Sequence, residues 1–254
     1  DSKTMVKSSK SLHTQLIRHL RKWHRKLGIF AAFFLIFLSV TGIALNHTDT
    51  FKLSSYHVKI PWLQDFYGIS EPNQLRFYQP LTVTDDLVWL HDKVLLEVTT
   101  PVISIGKFQQ YFLIATQEQL FIYSKQGALV DKLSNVSGLP SDITHLSVAA
   151  DRIIINSAKG YFQTDSDFFE WQLLSSINEP KWVKQTMATE AERAQAILNY
   201  KAQFLTWERI VVDTHSGRFF GIVGVLFMDA VAVFLILLSL SGIYIWIRYS
   251  RAKR

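Results

Sequence analysis

The sequence contains no cysteine. That excludes disulfides, thiolate metal centres and covalent haem attachment of the c type, and leaves histidine as the main soft ligand. A glycine-rich phosphate loop, an H-E-x-x-H pair and a G-x-S-x-G elbow are also missing, so no kinase or hydrolase site is legible. The acidic residues Asp85-Asp86 and Asp165–Asp167 fall where turns are expected. Charge itself is missing from Leu27–Leu45, a run of 19 residues. At about 1.5 Å per residue such a helix crosses a hydrocarbon core of roughly 30 Å. No small-residue cleavage site follows it, so it reads as a span and not as a secretory signal. Phe219–Ile247 is a second apolar run, with Asp229 its one charge.

Lysine and arginine crowd the outer flanks of both runs: Lys3, Lys7, Lys10, Arg18, Arg21, Lys22, Arg25 and Lys26 before the first, Arg248, Arg251, Lys253 and Arg254 after the second. The positive-inside rule puts both termini in the cytoplasm and exports Thr48–Arg218. The exported stretch has 15 basic and 19 acidic residues, so the formal net charge of +6 belongs to the membrane flanks and implies no nucleic-acid partner. Within residues 1–26, Leu12, Leu16, Leu20 and Trp23 form an apolar stripe among basic residues. That pattern predicts an amphipathic helix lying in anionic lipid headgroups.

The exported region (47–189) reads as short β-strands: Leu81–Val83, Leu87–Leu90, Val94–Val98, Val102–Ile105, Tyr111–Ala115, Leu120–Tyr123, Thr144–Val148, Arg152–Asn156, Tyr161–Thr164 and Phe169–Leu173. Elements around Ile103, Tyr111 and Leu120 recur around Leu146, Arg152 and Tyr161 at an offset of 41 to 43 residues, a propeller-blade period. The expected fold is a membrane protein of two transmembrane α-helices (27–46 and 219–247) and a mainly-β domain of propeller-like repeats. A helical stalk (190–218) would return the chain to the membrane, and 248–254 would form a basic tail.

His47 closes the first span, and Asp213-Thr-His215-Ser-Gly-Arg218 opens the second. Both imidazoles fall at the exported interface, where a six-coordinate b-type haem takes two such ligands. Asp49 and Asp213 are candidates to orient the rings. The alternative is a pair of ordinary interfacial histidines. His24, at the other end of the first span, lies 23 residues from His47, roughly 34 Å along a helix. A haem there needs His13, His19 or His24 of a second copy, and otherwise His24 is a solvated headgroup residue. Asp229, 14 residues after His215, falls within roughly 40° of its face on a continuous helix. An intramembrane carboxylate is a functional candidate; the plainer role is a hydrogen bond to Ser39 or Thr41. Gly28, Gly42, Gly221, Gly224 and Gly242 allow either close helix packing or room for a flat macrocycle.

Arg21-Lys-Trp-His24-Arg-Lys-Leu-Gly28 with Ser39-Val-Thr-Gly42-Ile-Ala-Leu-Asn46-His47 resembles the first helix of the PepSY-associated transmembrane family. Leu205-Thr-Trp-Glu-Arg209, Asp213–Gly221, Asp229 and Ser241-Gly-Ile-Tyr-Ile-Trp246 resemble its last helix. The resemblance covers roughly the terminal 65 to 70 residues. It implies a bacterial inner-membrane protein with a periplasmic domain, and larger four-helix relatives include ferric-siderophore reductases holding haem b through helix-end histidines. Carried onto this chain, it points to His24, His47 and His215, with Arg218 and Asp229 anchoring or tuning the site. Two spans in place of four imply a homodimer or a subunit of a membrane complex, with a redox protein or ferric complex as partner. The rival class is a non-enzymatic interaction module, or an accessory subunit, anchored by the same two helices.

Overall fold

The computed structural model describes residues 2–165, 167–168, 170–175 and 180–252, with side chains described at 18, 19, 21–248 and 250 outside those gaps. In chain order the elements are α1 (Ser2–Asn46), α2 (Pro61–Phe66), β1 (Leu75–Tyr78), β2 (Leu81–Thr84), β3 (Leu87–Leu90), β4 (Lys93–Glu97), β5 (Ser104–Phe108), β6 (Tyr111–Ala115), β7 (Leu120–Ser124) and β8 (Leu129–Leu133). Then follow β9 (Ile143–Val148), β10 (Ile153–Ser157), β11 (Gly160–Thr164), β12 (Gln172–Leu173), α3 (Glu190–Ala202), α4 (Trp207–Ser216) and α5 (Gly221–Ala252). Two compact units result: Asp1–Val58 with Leu205–Arg254, and Lys59–Phe204.

The first unit is a helix pair. Arg21–Asn46 and Arg218–Arg248 are both long and apolar enough to cross a membrane. Their large side chains stay exposed, as at Ile36, Val40, Leu226 and Ile236. Packing between the helices includes ring edges. Phe30 meets Phe234 at 6.3 Å and Phe34 meets Phe227 at 5.7 Å, both edge-on. The descending pairing shows that α1 and α5 are antiparallel. The amphipathic stripe at Leu12, Leu16 and Leu20 has a helical backbone but lies outside the described side chains.

The second span does not run straight into α4. Gly217 (φ +79°) caps α4 in the left-handed region, a single 3-10 turn follows, and Gly221 (φ +64°, ψ −150°) opens α5. Few residues other than glycine adopt these angles. Gly217 and Gly224 also approach so closely that a Cβ on either would overlap the other's carbonyl. At the base of the pair the chain leaves and returns in register. The Val58 amide donates to the Leu205 carbonyl (2.8 Å) and the Trp207 amide to the Tyr56 carbonyl (3.1 Å), and His57 bridges Thr206 antiparallel.

The second unit is three four-stranded antiparallel sheets, ordered β1-β2-β3-β4, β5-β6-β7-β8 and β12-β11-β10-β9. Side chains alternate across a strand, and the middle sheet uses both of its faces. Phe112, Ile114, Phe121 and Tyr123 join Leu81, Val83 and Val88 of the first sheet in one core. Leu113, Ala115, Leu120 and Ile122 join Leu146, Ile153 and Ile155 of the third in another. That double burial explains why Tyr111–Ala115 and Leu120–Tyr123 are apolar at nearly every position. Successive meanders packed face to face are the layout of propeller blades. The 41–43-residue repeat corresponds to the step from the second sheet to the third. β5 and β9 run so close that a Cβ on Gly106 would stand 2.5 Å from Val148 Cγ2.

Two strands, β1 and β8, are additional to those read from the sequence. The last expected strand, Phe169–Leu173, is confined to Gln172–Leu173, with Phe169 outside the described residues. Helix α3 belongs to the sheet unit, where it contacts α2 and β2. It starts with a capping box: the Thr189 hydroxyl accepts from the Glu192 amide, and the Glu192 carboxylate accepts from the Thr189 amide (2.7 Å).

Candidate functional site

The histidines of the helix pair are held in two matching ways. His215, half-buried on α4, places Nδ1 2.7 Å from Thr41 Oγ1 of α1. Its Cε1 lies beside Gly42, 3.8 Å from where a Cβ would be. At the opposite end, His24 of α1 places Nδ1 2.9 Å from Ser241 Oγ of α5. Its ring lies over Gly242, where a Cβ would meet Cε1 at 3.1 Å and Nε2 at 3.5 Å. Neither Nε2 carries a hydrogen bond among the described residues.

The other sequence candidates lie apart from these pairs. His47 is exposed just beyond α1, its ring 6.1 Å from Phe51. No hydrogen bond or ring contact joins it to His215 among the described residues. Six residues separate His47 from Thr41, about 9 Å of rise and about 240° of turn on a helix. Asp213 pairs with Arg209 at 3.6 Å, so the hydroxyl of Thr41, and not this carboxylate, meets His215. Arg218 is exposed in the 3-10 turn. Asp229 is exposed on α5, and among the described residues it carries no hydrogen bond or ion pair. Its helical phase to His215 does not apply, because the break at Gly217 and Gly221 interrupts the helix between them. Thr41, one proposed partner of Asp229, is occupied by His215. No group of three or more His, Asp or Glu suited to a metal ion occurs among the described residues.

Each unit has a cavity of its own. At the His24 end of the helix pair, a groove of about 500 Å³ is walled by Trp23, Leu27, Phe234, Leu237 and Leu238, with His19, His24 and Ser241 as its polar groups. The sheet unit has its own cavity of about 530 Å³ between α3 and the first sheet. Phe77, Pro80 and Trp89 make its apolar wall, and Gln79, His91, Asp92, Glu192, Gln195 and Asn199 its polar rim. Hydrogen bonds from the Thr189 amide and hydroxyl, and from Gln79, hold the Glu192 carboxyl below its usual range. Nearby Tyr200 is pushed up to about 12 by burial, and then by the hydrogen bond it donates to Asp85 (2.9 Å).

The chain matches the PepSY-associated TM region family over residues 5–249. It belongs to that family. This PepSY-associated protein is therefore a membrane protein with two helices of transmembrane length, and the match runs through the sheet unit as well as the two ends. No curated protein matches it. Among solved structures, it is similar to one chain of the S. cerevisiae complex of a Dbp5 variant bound to Nup159, a Gle1 variant, IP6 and ADP, at 12% identity over 39% of this chain and 29% of that chain, with a TM-score of 0.28. It is similar to the N-terminal domain of Nup159 at 12% identity over 43% of this chain and 36% of that one, with a TM-score of 0.27. The chain thus spans about a third of each structure.

A sequence signal that accompanies these histidine pairs, and that the reading of the residues above did not use, is a repeat. Phe34-Leu-Ile-Phe-Leu-Ser-Val-Thr41-Gly42-Ile43 and Phe234-Leu-Ile-Leu-Leu-Ser-Leu-Ser241-Gly242-Ile243 agree at seven of ten positions. Near its end each copy has a hydroxyl residue followed by glycine, Thr41-Gly42 and Ser241-Gly242.

Proposed function

We propose that this PepSY-associated protein is a two-pass inner-membrane protein that binds b-type haem and carries electrons across or along the membrane, toward ferric reduction or a redox partner. Both termini lie in the cytoplasm on this reading, with the sheet unit periplasmic, in keeping with the basic flanks. The observation that carries it is the Thr41–His215 hydrogen bond, because axial imidazoles are commonly held by a partner on the non-ligating nitrogen. His215 fits an axial ligand in its donor chemistry. His47 is the second candidate at the same end. Since the two rings make no contact within one chain, the pair is completed by chain movement or by a second copy. His215 and His47 would hold the haem through their imidazole nitrogens, and the bound group would supply one-electron redox chemistry. Arg218 would form a charge-assisted pair with a propionate, and Asp229 faces outward, where a second copy or a subunit would meet it. His24, with its apolar groove, offers the same donor chemistry at the cytoplasmic end.

The test is the visible spectrum of the detergent-purified protein from haem-replete cells, oxidised and then reduced with dithionite. A Soret band with sharp reduced α and β bands, lost in His215→Ala or His47→Ala, is expected. A folded protein that stays colourless after haem addition rejects haem binding by this chain. A second reading, a periplasmic binding module on a membrane anchor, is favoured by the cavity of about 530 Å³ between α3 and the first sheet. There His47→Ala with His215→Ala leaves partner binding intact, whereas Trp89→Ala removes it.

A further inference from the structure

The two histidine pairs share more than their distances. A hydroxyl has one proton to donate, and both of these hydroxyls are within reach of a main-chain acceptor. Thr41 Oγ1 donates to the carbonyl of Phe37 (2.9 Å) or Leu38 (3.2 Å), and Ser241 Oγ donates to that of Leu238 (2.8 Å). With the proton so used, each oxygen can only accept from the imidazole. A neutral ring at this place then carries its hydrogen on Nδ1 and its lone pair on Nε2. The opposite tautomer would set two acceptors against each other at Nδ1, an arrangement with no hydrogen bond between hydroxyl and ring.

The repeat explains why the arrangement occurs twice. Phe34–Ile43 and Phe234–Ile243 lie on antiparallel helices, so their Thr41-Gly42 and Ser241-Gly242 ends fall at opposite ends of the pair. In each copy the hydroxyl bonds back onto its own helix and receives a histidine from the other side of the bundle: His215 for Thr41, His24 for Ser241. The following glycine leaves the ring uncovered on that helix.

We infer that Thr41 and Ser241 are positioning residues that fix His215 and His24 as Nδ1–H tautomers and so reserve Nε2 as the donor atom at each end. The identity of the acceptor as a haem iron rests on the function proposed above; the tautomer itself does not.

The experiment is nitrogen-15 imidazole NMR of the full chain, metal-free, in detergent, with labelled histidine and with His24→Gln and His215→Gln for assignment. The wild type is expected to show both rings with a protonated Nδ1 and an unprotonated Nε2. Thr41→Val should abolish the single-tautomer signature of His215 and leave that of His24, and Ser241→Ala the reverse. Thr41→Ser and Ser241→Thr should restore each signature. Should Thr41→Val fail to fold, Thr41→Ala carries the same expectation. A wild-type ring protonated on Nε2, or signatures unchanged in the hydroxyl-free variants, overturns the inference. A wild-type protein without a Soret band overturns haem binding alone, because the tautomers are read without metal.

Discussion

The two units use similar apolar residues in opposite ways. In the sheets, Val83 and Ile155 are fully buried; in the helix pair, Val40 and Ile236 are 60% and 58% exposed. The sheets are held by water's exclusion of apolar surface. The helices cross a solvent as apolar as their own side chains, so no such drive presses them together. What joins them is sparse and specific: ring edges, glycines in close approach, and two hydroxyl–imidazole bonds. A polar contact in the helix pair therefore carries more of the structure than an apolar one, and the sheets reverse that order.

The strongest way to break this contrast is to shave one residue from each side. Ile155→Ala should destabilise the sheet unit by about 2–5 kcal/mol, read by denaturant unfolding followed through tryptophan fluorescence. Ile236→Ala, on the exposed face of α5, should stay within about 0.5 kcal/mol; a comparable loss there would mean that this face is covered. Glycine substitutions come next. Gly106→Ala drives a Cβ against Val148 and should cost about 1–3 kcal/mol by overpacking. In the helix pair, Gly242→Ala should shift the imidazole resonances of His24, while Gly42→Ala should leave those of His215 nearly in place, following the 3.1 Å and 3.8 Å approaches.

Smaller effects sharpen the picture within the sheet unit. Thr189→Ala removes the cap of α3 and should lower stability by about 1 kcal/mol. The Glu192 half of the same box depends on charge. Its carboxyl is lowered on folding, so its contribution is present above the ordinary value near 4.5 and is lost as pH falls through the lower folded value. Thr189→Ala should flatten that acid limb in a pH series of unfolding midpoints. Tyr200 has the opposite sign. Its phenol is raised to about 12, so its contribution is full below pH 10 and is lost as pH rises through about 12. Tyr200→Phe should remove that alkaline loss.

Much of this architecture is legible in the residues. Nineteen uncharged positions at Leu27–Leu45 announce a span, and the 41–43-residue spacing announces successive meanders because each sheet repeats one strand–turn plan. β1 and β8 escape such a reading. Arg76 interrupts β1, and β8 exposes Leu129, Val130, Asp131 and Lys132 alike, so neither alternates cleanly. The site is legible as a set of histidines but not as pairs. Spacing along one helix places His24, His47 and His215 at the ends of spans; it does not say that a hydroxyl on the opposite helix meets the ring. It also takes the stretch from His215 to Asp229 as one helix, whereas two positive-φ glycines redirect the chain between them.

The paired strands of chain at the base of the helices have a consequence for how such a protein can change. Val58 and Leu205 are bonded neighbours although the whole sheet unit lies between them in sequence. An insert whose ends already touch imposes no stretch on its host, so it can be lengthened, exchanged or removed at that neck without redrawing the helices. Joining Val58 to Leu205 by a short asparagine–glycine turn would give a hairpin of two spans. The sheet unit is thus an insertion into the helix pair, entered and left through one hydrogen-bonded pair of neighbours, Val58 and Leu205.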